Sequence, residues 1–160
     1  MQDKNEMQAK EVYELIASTL TERQWNFDRE DESLIIRSGI GNGDGMEVRF
    51  ILRVNPRNRV IQFFSSLPFK MPEDLRVDGA VAVAVANYGI VDGSFDYDVS
   101  DGEIRYRLTN AYLDSTLDPE LFEYMIGVSV STINQYSDRF YMLSRKMITL
   151  ERFIEMEKGE

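Results

Sequence analysis

Apolar residues recur along this chain at two periods, and the switches between them mark out its elements. From Asn5 to Glu22 the positions Val12, Leu15, Ile16 and Leu20 follow helical spacing, with Glu11, Glu14 and Glu22 off the stripe, which predicts an amphipathic helix. The period then drops to two. Trp25 and Phe27 alternate with Asn26 and Asp28, and Leu34 and Ile36 follow the turn-like Glu30-Asp31-Glu32. Gly39-Ile40-Gly41-Asn42-Gly43-Asp44-Gly45 predicts a flexible hairpin loop, because glycine takes positive φ at no steric cost. Met46, Val48, Phe50, Leu52 and Val54 predict a strand, Asn55-Pro56-Arg57-Asn58 a turn, and Val60 to Leu67 the returning strand.

Pro68 and Pro72 bracket what reads as a short extended connection. Pro72 suits a helix start, since its missing N–H would be unbonded there anyway. Val77, Val81, Ala84, Val85 and Tyr88 form the stripe of a helix from Glu73 to about Ile90, and the small residues from Gly79 to Ala86 suit close packing on a sheet. A second hairpin follows. With Asp101-Gly102 as a two-residue turn, Val99 faces Ile104, Tyr97 faces Tyr106 and Phe95 faces Leu108 on one side. Asp98 then faces Arg105, and Asp96 faces Arg107, on the other. That pairing accounts for carboxylates that otherwise resemble a cation site. An EF-hand loop fails in any case: counted from Asp96, the position that requires glycine is Asp101. Last, Asp118 as N-cap and Pro119 at the first helical position open a stripe through Phe122, Ile126, Ser129, Ile133, Tyr136, Phe140, Leu143, Met147, Leu150 and Ile154.

Composition narrows the chemistry. The chain of 160 residues has no Cys and no His, which removes disulfides, thiolate and imidazole metal sites, and the Ser-His-Asp and Cys-His mechanisms. No other pair of side chains stands out as catalytic, so no catalytic, metal or cofactor residue is nominated and no enzyme activity is expected. The formal charge of −10 repels phosphate backbones and anionic lipid. The densest basic run, Arg49, Arg53, Arg57 and Arg59, is interleaved with Glu47, and neither a nucleic-acid nor a membrane partner is expected. The polar N-terminus lacks a secretory core and no apolar run spans a bilayer, so a soluble cytoplasmic protein is expected.

The order α-β-β-β-β-α-β-β-α predicts an α+β fold, an antiparallel sheet with helices packed on it. That order, together with particular residues, resembles the YbjN-like family, described as bacterial sensory transduction regulators. The residues are Trp25-Asn26-Phe27, Leu67-Pro68, Asn87, Gly93, Phe95, Asp98, Gly102-Glu103-Ile104 and Tyr106-Arg107, within a span from about Val12 to Ile133. The resemblance implies a fold like that of type III secretion chaperones, which are small, acidic, usually dimeric proteins that bind segments of clients. A long apolar-striped C-terminal extension departs from the family. The expected organisation is a domain over 1–136 with a helical extension of the same domain over 137–160.

A continuous helix from Pro119 to Glu157 would be roughly 58 Å long, against about 40 Å across for a compact domain of this size. It must project or break, and Asn134, Ser137 and Asp138 are the weak points. If it breaks, its second half packs on its own core. If it projects, Phe140, Leu143, Met147, Leu150 and Ile154 meet a partner, most simply a second copy, with Met142 and Met156 as adaptable neighbours. Glu151, Glu155 and Glu157 argue against a membrane-surface helix. The expected function is a non-catalytic, homodimeric protein-binding module, chaperone-like or regulatory. The alternative is a small-molecule sensor at the sheet–helix interface, using Trp25, Phe27, Phe63, Phe64, Tyr97 and Tyr106.

Overall fold

The computed structural model describes residues 2–41, 47–115 and 117–159. Helix α1 (Gln2–Glu22) leads into strands β1 (Phe27–Glu30), β2 (Ile35–Ile40), β3 (Val48–Asn55) and β4 (Val60–Lys70). A short 3₁₀ turn (Glu73–Leu75) and helix α2 (Arg76–Gly89) follow, then β5 (Ser94–Asp98), β6 (Glu103–Ala111), α3 (Pro119–Ser144) and α4 (Leu150–Lys158). The strands make one six-stranded antiparallel sheet in the order β1-β2-β3-β4-β6-β5. The α+β class and the element order agree with the sequence, except that the last helix is two. Asn42 to Gly45 of the predicted loop, and Met46, lie outside the described residues. Gly39 and Ile40 belong to β2, where Ile40 pairs with Val48.

The chain divides into two compact units, Met1–Ser65 with Leu108–Val128, and Ser66–Arg107 with Ser129–Glu160. In the first unit α1 buries Ala9, Val12, Tyr13, Ile16, Ala17 and Leu20, and it packs on β3. The inward set Val48, Phe50, Leu52 and Val54 is buried as the two-residue period requires. Phe50 stacks on Phe63 at 4.9 Å and meets Trp25 edge-on at 6.4 Å. Each such side chain removed from water contributes about 1.5–3 kcal/mol. Gln24 closes α1 at φ 58°, with its own N–H on the Thr21 carbonyl and the Trp25 N–H on the Leu20 carbonyl. At the start of α3, the Glu120 N–H donates to the Asp118 carboxylate at 3.0 Å, as its N-cap reading requires.

In the second unit β4 runs through Pro68 to Lys70, where the sequence predicts a connection instead. Extended backbone accepts a proline wherever a ladder N–H is not needed. The β5–β6 hairpin keeps its predicted faces but not its predicted register. Phe95 pairs with Tyr106, Asp96 with Arg105, Tyr97 with Ile104 and Asp98 with Glu103, two residues displaced from the predicted pairs. The turn is four residues, Val99 to Gly102, closed by the Gly102 N–H on the Asp98 carbonyl at 2.7 Å. Gly102 stands at φ 79°, and a Cβ there would lie 2.2 Å from the Met71 carbonyl oxygen. Its own carbonyl accepts from the Met71 N–H at 2.9 Å. This close approach, which only glycine permits, holds the longer turn, and Val99 consequently points to solvent. A shift of two residues preserves the alternation, so Phe95, Ile104, Tyr106 and Leu108 are buried as expected.

The final helix breaks, though not at Asn134, Ser137 or Asp138, which lie within α3. Lys146 adopts φ 57°, its N–H bonds the Leu143 carbonyl, and the Met147 N–H bonds the Met142 carbonyl. This is the Schellman closure, with lysine in the left-handed position that glycine usually fills. Thr149 then caps α4, accepting from the Arg152 N–H at 3.2 Å. The chain doubles back so that Phe153 stacks on Phe140 at 5.4 Å, and Arg139 pairs with Glu157 in a largely buried ion pair.

Candidate protein-docking surface

Helix α2 is built almost without charge: from Val77 to Gly89 its only ionisable side chains are Asp78 and Tyr88. Its buried residues are Gly79, Ala82, Val83 and Ala86, small side chains that let the helix come close to its neighbours. A Cβ at Gly79 would sit 2.5 Å from the Tyr97 hydroxyl. That hydroxyl donates to the Arg76 carbonyl at 2.8 Å, while the Asn87 amide bonds both the N–H and the carbonyl of Phe95. These bonds fix the rotation of α2 about its axis. The stripe that the sequence reads as the core side therefore faces the other way. Val77 is 72% exposed, Tyr88 97%, and Val81 and Ala84 are exposed as well, with only Val85 half-buried. Burial of the small-residue face wins because it brings the backbone nearest the sheet, and the larger side chains are left outward. The signal was present in the sequence as Gly79, Ala82 and Ala86 on one face.

Positions 77, 81, 84 and 88 lie within about 60° of one another around the helix and span about 16 Å. Val91, just past the helix, is also exposed. The loop between α3 and α4 adds to this region. Lys146 ion-pairs with Asp74, three residues ahead of Val77, and Met147 beside it is 65% exposed. The lysine lowers the Asp74 carboxyl below its ordinary range.

The five residues expected to meet a partner separate on this frame. Phe140 and Leu143 are buried in the core of their own unit, because the fold-back lays α4 over them. They are not available to a partner in this conformation. Leu150 and Ile154 are half-buried on α4, which packs against α2, and Met147 stands free in solvent.

The remaining chemistry is absorbed locally. Asp96 accepts from Arg105 at 3.0 Å and from Arg107 at 2.9 Å and 3.0 Å; Arg107 first, then Arg105, holds its carboxyl below the usual range. Asp98 accepts from the Ser100 hydroxyl and N–H, and Asp101 pairs with Lys70 while accepting from the Glu103 N–H. Among the described residues no group of three or more acidic side chains could hold a metal. Four of the six aromatic residues named for a small-molecule site are engaged locally: Trp25 meets Phe50, Tyr97 donates to the Arg76 carbonyl, Phe63 and Tyr106 are fully buried, and Tyr106 meets Phe95 at 5.5 Å while donating to the Asp92 carbonyl. The basic run is split by the β3–β4 turn. Arg59 pairs with Asp114 at 2.8 Å, whereas Arg49 and Arg53 stay on β3. No helix among the described residues is long and apolar enough to cross a membrane.

The model of the YbjN family, "Putative bacterial sensory transduction regulator", matches residues 13–142. Among solved structures, YbjN of E. coli aligns with a TM-score of 0.57 at 8% identity, covering 79% of this chain and 92% of that one. ExsC in the ExsC–ExsE complex aligns with a TM-score of 0.51 at 14% identity, covering 84% of this chain and 92% of that one. These likenesses carry the fold, which is that of the type III secretion chaperones. Among curated protein sequences none matches the chain.

Proposed function

Because the chain belongs to the YbjN family, we propose that it is a non-catalytic protein-binding module, chaperone-like or regulatory, that works in the cytoplasm as a homodimer. The observation that carries this reading is the outward stripe of α2. A surface helix ordinarily turns charged side chains to water, yet here valines and a tyrosine are left there. The stripe is self-complementary. When two copies of α2 meet antiparallel about a two-fold axis, Tyr88 of each copy falls beside Val77 of the other, and Val81 beside Ala84. Ala84 and Val81 at the centre are small enough to let the helices approach closely. Tyr88 supplies the large ring that interfaces favour. Met147 lies at the margin and, with the half-buried Leu150 and Ile154, would adapt to the partner's shape. ExsC, which shares the fold, was crystallised in a complex with ExsE, and that supports a protein as the ligand class.

Analytical ultracentrifugation of the full chain and of a V77D/Y88D variant tests the reading. The wild type is expected to sediment as a dimer and the variant as a folded monomer. A wild type that remains monomeric at every concentration, or a variant that still dimerises, would overturn the α2 interface.

A further inference from the structure

Three arginines of the first unit gather on one face of the sheet of an acidic protein. Strands β2, β3 and β4 contain no Asp or Glu, although the chain has 28 acidic residues. Their inward positions are the buried Ile36, Phe50, Leu52 and Phe63. Their outward positions are half-buried or exposed: Arg49, Ile51 and Arg53 alternate on β3, flanked by Ile35 and Arg37 on β2 and by Gln62 and Phe64 on β4. The register places them. Ile35 pairs with Arg53, Arg37 with Ile51 and Gly39 with Arg49, while Ile51 also pairs with Phe64. Ile51 is thus surrounded by three arginines: Arg49 and Arg53 two residues away along β3, and Arg37 directly across on β2. Each neighbouring pair of these arginine positions is separated by about 7–8 Å.

The arginines hold their charge in reserve. Arg53 has no ion-pair partner among the described residues. Arg37 pairs with Glu30 at 2.8 Å and Arg49 with Glu47 at 3.0 Å, both in exposed pairs. Such pairs contribute little to stability and are readily exchanged for a better partner. Guanidinium forks accept carboxylates bidentately, and desolvation by an apolar neighbour strengthens that contact.

We propose that this open face of β2, β3 and the first half of β4 binds an acidic protein segment in extended conformation, one with a carboxylate at every second position. Alternate side chains of an extended segment recur about every 7 Å, which matches the spacing of Arg49, Arg37 and Arg53. The methylene stems of those carboxylate side chains cover Ile51, Ile35 and Phe64, while the residues between them face away from the sheet. The half-buried Ile35, Ile51 and Phe64 among the arginines favour a peptide over a polyphosphate, which has no hydrocarbon to cover them. This surface belongs to the first unit and the α2 stripe to the second, so each stands or falls alone.

The test is fluorescence anisotropy of a labelled decapeptide of alternating glutamate and leucine against the full-length protein. Binding is expected, weakening as salt rises. It should fall at least about tenfold in R37E/R53E and by a smaller factor in R37Q/R53Q, a pair that keeps the same thermal melt. The V77D/Y88D variant should bind the peptide as the wild type does, whatever its oligomeric state. No binding by the wild type, equal binding of a lysine–leucine decapeptide, unchanged binding in R37E/R53E, or tighter binding of a single-stranded oligonucleotide would each overturn the proposal.

Discussion

Asp96 shows how a single side chain organises a face of this fold. It faces Arg105 across the hairpin and reaches Arg107 as well, so one carboxylate accepts from two guanidinium groups. Those contacts hold its carboxyl below the ordinary aspartate range, chiefly through Arg107. A depressed folded-state pKa means stability that is complete above the unfolded value, near 4, and lost as pH falls through the lower folded value. D96N should therefore lower stability by about 1 kcal/mol at neutral pH, the partners being part-exposed. The gap to wild type should close as the pH drops below about 4 in urea titrations. An unchanged gap at acid pH would show that the side chain acts through shape and not charge. The pairing of opposite charges on this face was legible in the sequence. Its register was not, because a two-residue slip preserves the inward and outward sides of the residues that stay in the ladder and, of the inward set, displaces only Val99 into the turn. The choice lay in Gly102 meeting the Met71 backbone, a contact between residues distant in the chain.

The helices illustrate what an element reveals by itself. α1, the N-cap Asp118 and the stripe from Phe122 to Leu143 follow from periodicity and capping, and all seven positions of that stripe are buried. The end of α1 at Glu22 was legible as well, but the left-handed closure at Gln24 and the break at Lys146 escape such reasoning. Both use a non-glycine residue in the left-handed region, at a local cost that the following packing offsets. For the last helix the compensation is Phe153, fully buried on Phe140. F153A should cost about 3–5 kcal/mol in chemical denaturation, since it removes a buried ring and leaves a cavity. A loss under about 1 kcal/mol would mean that α4 merely rests on its unit. For α2 the periodicity located the stripe and gave it the wrong side. Two faces of similar hydrophobicity compete there, and the smaller residues approach the sheet more closely.

On the scale of the whole molecule, an unpaired apolar stripe should make stability depend on concentration. If α2 pairs with α2, mass action raises the melting temperature as protein concentration rises. Scanning calorimetry over a wide range of concentrations should show that rise in the wild type and a flat response in V77D/Y88D. A flat wild-type response would mean that the stripe is left unpaired. The sequence by itself determined the α+β class, the order of elements up to the last helix, the inward faces of β3 and of the β5–β6 hairpin, and the absence of Cys and His chemistry, all of which depend on near neighbours and on composition. The side of α2 that meets water, the register of the β5–β6 hairpin, the fold-back at Lys146 and the gathering of Arg37, Arg49 and Arg53 around Ile51 were decided only in three dimensions. Each of these depends on a contact between segments far apart in the chain, and local periodicity carries no information about which distant surface a residue will meet.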